Sequence, residues 1–360
     1  MRPPPTEHPP FSPSLPVGVR LGGLAGMSPA NFGMVMATGI VSLAAHMLGH
    51  GALAHALFLL NNVLFGVLCV LTLLRIVRYP RLFFSDMSDH LRGPGCFTTV
   101  AACAILACQY MVLLGDTHMG TILWAAALTL WFGFTYAIFT VLTVKREKPG
   151  LERGINGGWL LAVVATQSIA VSSVLLAATS QQPYRLELNF LALSMWLWGG
   201  MLYIWLMALI FYRYTYFRLS PDDLTPPYWI NMGAMAISTL AGSLLISRSA
   251  DAPYLISLQP FLKGFTIFYW ATGTWWIPML LLLGVWRYAY KRFPLRYDAL
   301  YWGAVFPLGM YAACTEQMNQ AMGFRFLAPV PGIFFYLALG AWALAFLGLL
   351  AQLVRGRRAA

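Results

Sequence analysis

The residues of this chain whose types suggest chemistry are few: a set of histidines, one carboxylate inside an apolar stretch, and a scatter of hydroxyls. His46 and His50 are four residues apart, one helical turn, a spacing that can hold a metal or a haem iron. His55 and His118 are predicted on the same side, but no cysteine or carboxylate joins them at ligand spacing. A membrane-embedded haem or metal enzyme is therefore the alternative reading, and no cofactor is expected under the main one. Glu316 is the one acidic residue well inside an apolar stretch, and Lys263 is predicted at a similar depth. An intramembrane carboxylate implies proton coupling or a structural ion pair, here Glu316 with Lys263 or with Arg248. Cys69, Cys96, Cys103, Cys108 and Cys314 form no CxxC pair and no zinc spacing. Neither a phosphate-binding glycine loop nor a recognisable catalytic triad occurs, so neither ATP-driven pumping nor an enzyme is supported.

The elements that must position these residues are plain. Of 360 residues 59% are hydrophobic and 10% charged, against about 25% charged in soluble domains. Stretches of roughly 20 apolar residues predict spans near 29–49, 54–76, 95–115, 119–144, 157–178, 188–212, 228–247, 259–286, 299–321 and 331–354. The fold class is thus an all-α polytopic membrane protein with ten transmembrane helices, paired as five hairpins by short outer loops such as Gly49–Leu53. Residues 1–28, with seven prolines by position 16, read as a disordered tail. Residues 29–354 are the membrane domain, and 355–360 a basic tail. With the N-terminus in the cytoplasm, 19 of the 23 Lys and Arg residues fall inside, leaving Arg185, Arg248, Lys263 and Arg325 outside. Both termini are expected in the cytoplasm of a multi-pass protein of the plasma (inner) membrane. The net charge of +11 is spread between apolar stretches, which excludes a nucleic-acid patch as its reason.

Two kinds of helix are distinguishable. Odd spans carry tryptophan only at their starts, as Trp159, Trp229 and Trp302, while even spans carry it along their length, including Trp124, Trp131, Trp196, Trp270 and Trp342. The middles of the odd spans hold small and polar residues instead: Thr38, Gly39, Thr99, Thr166, Gln167, Ser238, Thr239 and Thr315. These suit either close helix packing or a pore lining, and their recurrence on all five odd spans favours a quasi-five-fold inner ring around a pore. Asn31-Phe32-Gly33 with Thr38 recurs as Asn231-Met232-Gly233 with Ser238, a pattern of internal repeats.

The segments Asn31–Ile40, Trp229–Ala234 and Trp302–Leu308 resemble the tellurite-resistance/dicarboxylate transporter family, which includes plant guard-cell slow anion channels, fungal malate permeases and sulfite efflux pumps. The resemblance implies a ten-helix bundle, a homotrimer, and a small anion as substrate. That anion is a C4-dicarboxylate such as malate, or sulfite, nitrate, chloride or tellurite. It also implies a pore occluded by a phenylalanine on the ninth helix, here Phe306, beside Pro307, which would kink the helix.

Overall fold

A bilayer offers no hydrogen-bond partners to the backbone, so apolar segments that enter it satisfy their amides within helices. The computed structural model describes residues 23–294 and 298–358, and among these it contains helices and no strand. The principal helices are α1 (Gly33–Met47), α2 (Gly51–Arg78), α3 (Phe97–Gln109), α4 (Thr117–Val144) and α5 (Leu161–Thr179). They continue as α6 (Tyr184–Tyr216), α7 (Ile230–Ser247), α8 (Gln259–Val285), α9 (Trp302–Met322) and α10 (Pro329–Arg358).

Among the described residues nine helices are long and apolar enough to cross a membrane. The stretch expected as the ninth span is a 21-residue helix, α9, but does not meet that standard. Glu316, Gln317, Asn319 and Gln320 crowd its C-terminal end and dilute its hydropathy. Large apolar side chains such as Leu59, Val63, Val70 and Leu73 on α2 face outward, as they do where lipid replaces water.

Each odd helix starts in the same way, with a tight 3-10 turn: Pro29–Phe32, Gly93–Cys96, Gly157–Leu160, Pro226–Trp229 and Ala299–Tyr301. Proline near the first position of three of them fixes a helical φ where no amide is needed. Ser28, Asn156 and Asp298 cap three through hydrogen bonds to Ala30, Gly158 and Leu300 amides. The turns contact one another in chain order, and the last contacts the first. The approach is close: a Cβ on Gly157 would lie 2.6 Å from the Pro227 carbonyl oxygen, so only glycine fits. At the opposite ends, Gly49, Gly115 and Gly323 take positive φ values of 84°, 65° and 72° and reverse the chain after α1, α3 and α9.

The odd helices repeat this pattern of contacts: α1 touches α3 and α9, α3 touches α5, α5 touches α7, and α7 touches α9. Burial separates them from the even helices. The most apolar stretches of α5 and α7 are 94% and 89% buried, against 22% for α2, α4 and α8. Helix α6 is intermediate at 56%.

Of the expected tail, residues 1–22 lie outside the described residues. Residues 23–28 are packed, with the Ala25 and Met27 carbonyls accepting hydrogen bonds from Arg75 and Arg92. The two arginines share Asp86, at 2.7 and 2.6 Å, and tie the end of α2 to the start of α3. The expected basic tail begins as helix, because the α10 backbone stays helical to Arg358.

Candidate functional site: two faces of the inner helices

Several polar groups in the middles of the odd helices are used between helices. Trp342 Nε1 on α10 donates to Thr38 Oγ1 at 3.0 Å, Trp131 on α4 to Thr166 Oγ1 at 2.8 Å, and Trp270 on α8 to Thr315 Oγ1 at 3.0 Å. Trp196 on α6 donates to the Ser238 carbonyl on α7 at 2.8 Å. Between α2 and α3 a side-chain amide takes the place of the indole, with Asn61 Nδ2 donating to Gln109 Oε1 at 2.7 Å. Every even helix thus bonds the next odd helix, α10 closing onto α1. Thr38 and Ser238, matched by the sequence repeat, are both met by an indole from the preceding even helix.

Most of the residues expected to line a pore have partners within their own helix or on a neighbouring one. Thr38, Thr166 and Thr315 face the outer helices that bond them. Gln167 Nε2 donates to the Trp196 carbonyl on α6 at 3.0 Å. Gly39 lies against α2 and α3, where an added Cβ would come within 2.6 Å of Ile105 and 3.0 Å of Asn61. Thr99 is half-buried and lines a side cavity with Cys69 and Thr72 of α2 and Leu130 and Phe134 of α4. Ser238 and Thr239 return their hydroxyls to the Ala234 and Met235 carbonyls of their own helix, each at 2.8 Å. Pro307 packs against Gly233 of α7. The indole donors are the partners that spacing alone does not connect to these hydroxyls; the occurrence of mid-span tryptophans on even helices alone is the signal the sequence carries.

What remains is the face turned away from the indoles. Residues advance by about 100° along an α-helix, so Phe306, nine positions before Thr315, lies on the opposite side of α9. Phe306 is fully buried. Gln317, two positions after Thr315, falls on the same side as Phe306, and its Nε2 donates to Ser247 Oγ of α7 at 3.3 Å. On α5 the face opposite Thr166 and Gln167 carries Ser168 and Ser172, whose hydroxyls donate to Val164 and Ser168 carbonyls at 2.8 Å.

Glu316 and Lys263 are not brought together. Lys263 is exposed, and Glu316 Oε1 accepts from Gln320 Nε2 at 2.8 Å; among the described residues no ion pair joins Glu316 to Lys263 or to Arg248. The histidines make local contacts: His50 stacks on Phe335 with centroids 5.3 Å apart, and His55 Nδ1 bonds the Gly51 carbonyl. No group of three or more His, Cys, Asp or Glu able to hold a metal occurs among the described residues. Asp223, outside the membrane-spanning segments, is held by Arg213 of α6 at 3.2 Å. Burial raises the Asp223 pKa, but hydrogen bonds from Ser220 and the Arg213 charge outweigh it and leave the carboxyl below its usual value.

Comparison with known proteins places this geometry in a family. An uncharacterized membrane protein of Mycobacterium tuberculosis is 37% identical over 152 residues, covering 42% of this chain and 77% of its own. An uncharacterized transporter of Methanocaldococcus jannaschii is 26% identical over 301 residues, covering 82% of this chain and 85% of its own. A sulfite efflux pump of Arthroderma otae is 23% identical over 351 residues, covering 90% of each chain. The profile of the SLAC1 family, described as voltage-dependent anion channel, matches residues 26–350. An all-α polytopic membrane chain matched over nearly its whole length by that profile belongs to the voltage-dependent anion channel family.

Proposed function

We propose that this protein moves small anions across the membrane along the axis between α1, α3, α5, α7 and α9, a quasi-five-fold inner ring within ten spans, and that Phe306 occludes that path. The observation that carries the reading is the division of α9 into two faces: Thr315 is held outward by Trp270, and fully buried Phe306 lies opposite it. The residues on the faces of α5 and α9 turned away from the indoles are Ser168, Ser172, Phe306 and Gln317, none of them charged. Hydroxyl and amide dipoles, with a net charge of +11 on the whole chain, suit a partly hydrated anion without trapping it. Glu316, half-buried beside Gln317 and unpaired with Lys263, is the candidate for proton coupling. Three copies in the inner membrane with cytoplasmic termini complete the reading.

Flux into proteoliposomes, measured with sulfite, nitrate, chloride, malate and tellurite, tests it. Sulfite heads the panel because the Arthroderma otae relative is named for its efflux. Protein-dependent flux of at least one of these anions is the expected result; rates equal to protein-free vesicles for all five reject the proposal. If Glu316 couples protons, Glu316→Gln abolishes the pH dependence of that flux and leaves folded yield intact.

A further inference from the structure

Three arginines at the ends of even helices are buried: Arg75 on α2 at 3% exposure, Arg213 on α6 at 5%, and Arg287 just past α8 at 8%. The first two are matched by carboxylates, Asp86 at 2.7 Å and Asp223 at 3.2 Å. Arg287 has no carboxylate within 4 Å among the described residues. Its Nη1 donates to the Leu224 carbonyl, and its guanidinium carbon lies 5.1 and 4.3 Å from the Tyr288 and Phe293 ring centroids. Among the described residues its buried Nε has no hydrogen-bond partner. Arg75 Nε also lacks one, but there Asp86 balances the charge. Of the nearby acids, Asp223 is held by Arg213, and Asp298 caps the turn before α9 through the Leu300 amide at 2.9 Å. A buried charge without a counter-ion is costly.

Arg287 lines a cavity of about 90 Å³ with Thr225, Tyr228, Trp229, Tyr288 and Tyr301. The Tyr288 and Tyr301 hydroxyls are 3.0 Å apart. One hydroxyl proton serves that bond, which leaves the other to donate elsewhere. The volume holds a few heavy atoms, since one water occupies about 30 Å³ of liquid. Ala304, also on the cavity wall, lies eleven positions before Thr315 and so about 20° from it around α9. The cavity is therefore on the outward side of α9, away from Phe306.

We propose that this cavity binds a small inorganic anion, a halide or a compact oxyanion, as the counter-ion of Arg287, held by the guanidinium charge and a tyrosine hydroxyl. The site does not depend on the axial path and exists whether or not the chain conducts.

Thermal unfolding of the detergent-purified full chain, with bromide replacing gluconate at constant ionic strength, tests it. A ligand of the folded state raises the midpoint saturably; a rise of about 2–4 °C is expected for the wild type. Arg287→Leu should abolish the rise. Tyr301→Phe, which deletes one hydroxyl, should raise the half-saturating bromide concentration about fivefold. An unresponsive wild type, or an equal rise in Arg287→Leu, overturns the proposal. If Arg287→Leu fails to fold, anomalous diffraction from bromide-soaked wild-type crystals decides. A peak in the cavity beside the Arg287 guanidinium and the Tyr288 and Tyr301 hydroxyls supports the site, and no peak there, or water or a phospholipid phosphate in that position, overturns it.

Discussion

Replacing Trp270 by phenylalanine keeps an aromatic ring on α8, smaller than the indole, and removes the N–H that reaches Thr315. In membrane proteins such bonds average about 0.6 kcal/mol and reach about 1.7. Trp270→Phe and Thr315→Val should each lower the unfolding free energy by about that much. The double variant should lose less than the sum, because the bond can be broken only once; strict additivity would show that the contact contributes nothing. The two residue sets in this bond were legible in the sequence as hydroxyls on odd spans and tryptophans on even ones. Their pairing was not, because a hydroxyl that lines a pore and one that receives an indole have the same spacing along the chain. Only the direction of each side chain separates them, and that depends on helix rotation. The same limit applied to Glu316 and Lys263: similar depth on successive helices suggested a pair, yet Lys263 turns outward and is exposed.

Between α2 and α3 the chain docks on the end of α4, where Lys145 Nζ donates to the Ser88 carbonyl at 2.9 Å and His90 packs near Trp159 with ring centroids 6.2 Å apart. Partial burial, and then the Lys145 charge, hold the His90 pKa below its usual value of 6.5. The unfolded chain therefore binds the proton more readily, and the docked loop is stabilised above pH 6.5 and loses that stabilisation as pH falls through the window just beneath it. Acidification from about pH 7.5 to about 5.5 should lower the unfolding midpoint of the wild type more than that of His90→Gln. Equal shifts would remove His90 from the account. Helix extents were largely readable: the span expected at 259–286 runs Gln259–Val285, and that at 119–144 runs Thr117–Val144. Long apolar stretches carry their own boundaries through flanking charge. The five 3-10 starts were not readable, because their proline and glycine content resembles any loop, and what distinguishes them is contact with one another.

At the scale of the molecule, the sequence carried the class and predicts an orientation. Nineteen basic residues on one side against four on the other predict cytoplasmic termini. A reporter fused after Ala360 should be active in the cytoplasm, and a periplasmic signal would invert every statement about inner and outer ends. The closed circuit of contacts among α1, α3, α5, α7 and α9 was an expectation from composition. The contacts themselves came only with tertiary structure, since no local pattern records which odd helix meets which. The central claim is that Phe306 blocks an axial anion path. It is tested most directly by measuring anion flux and unfolding midpoint together for wild type and Phe306→Ala. If the ring is a plug, removing it lowers the barrier to a hydrated anion, and flux should rise about tenfold or more, equivalent to about 1.4 kcal/mol, with folded yield preserved. If the ring is core packing, its loss should destabilise the protein by about 3–5 kcal/mol and leave flux at or below the wild-type rate, the result that would contradict the account.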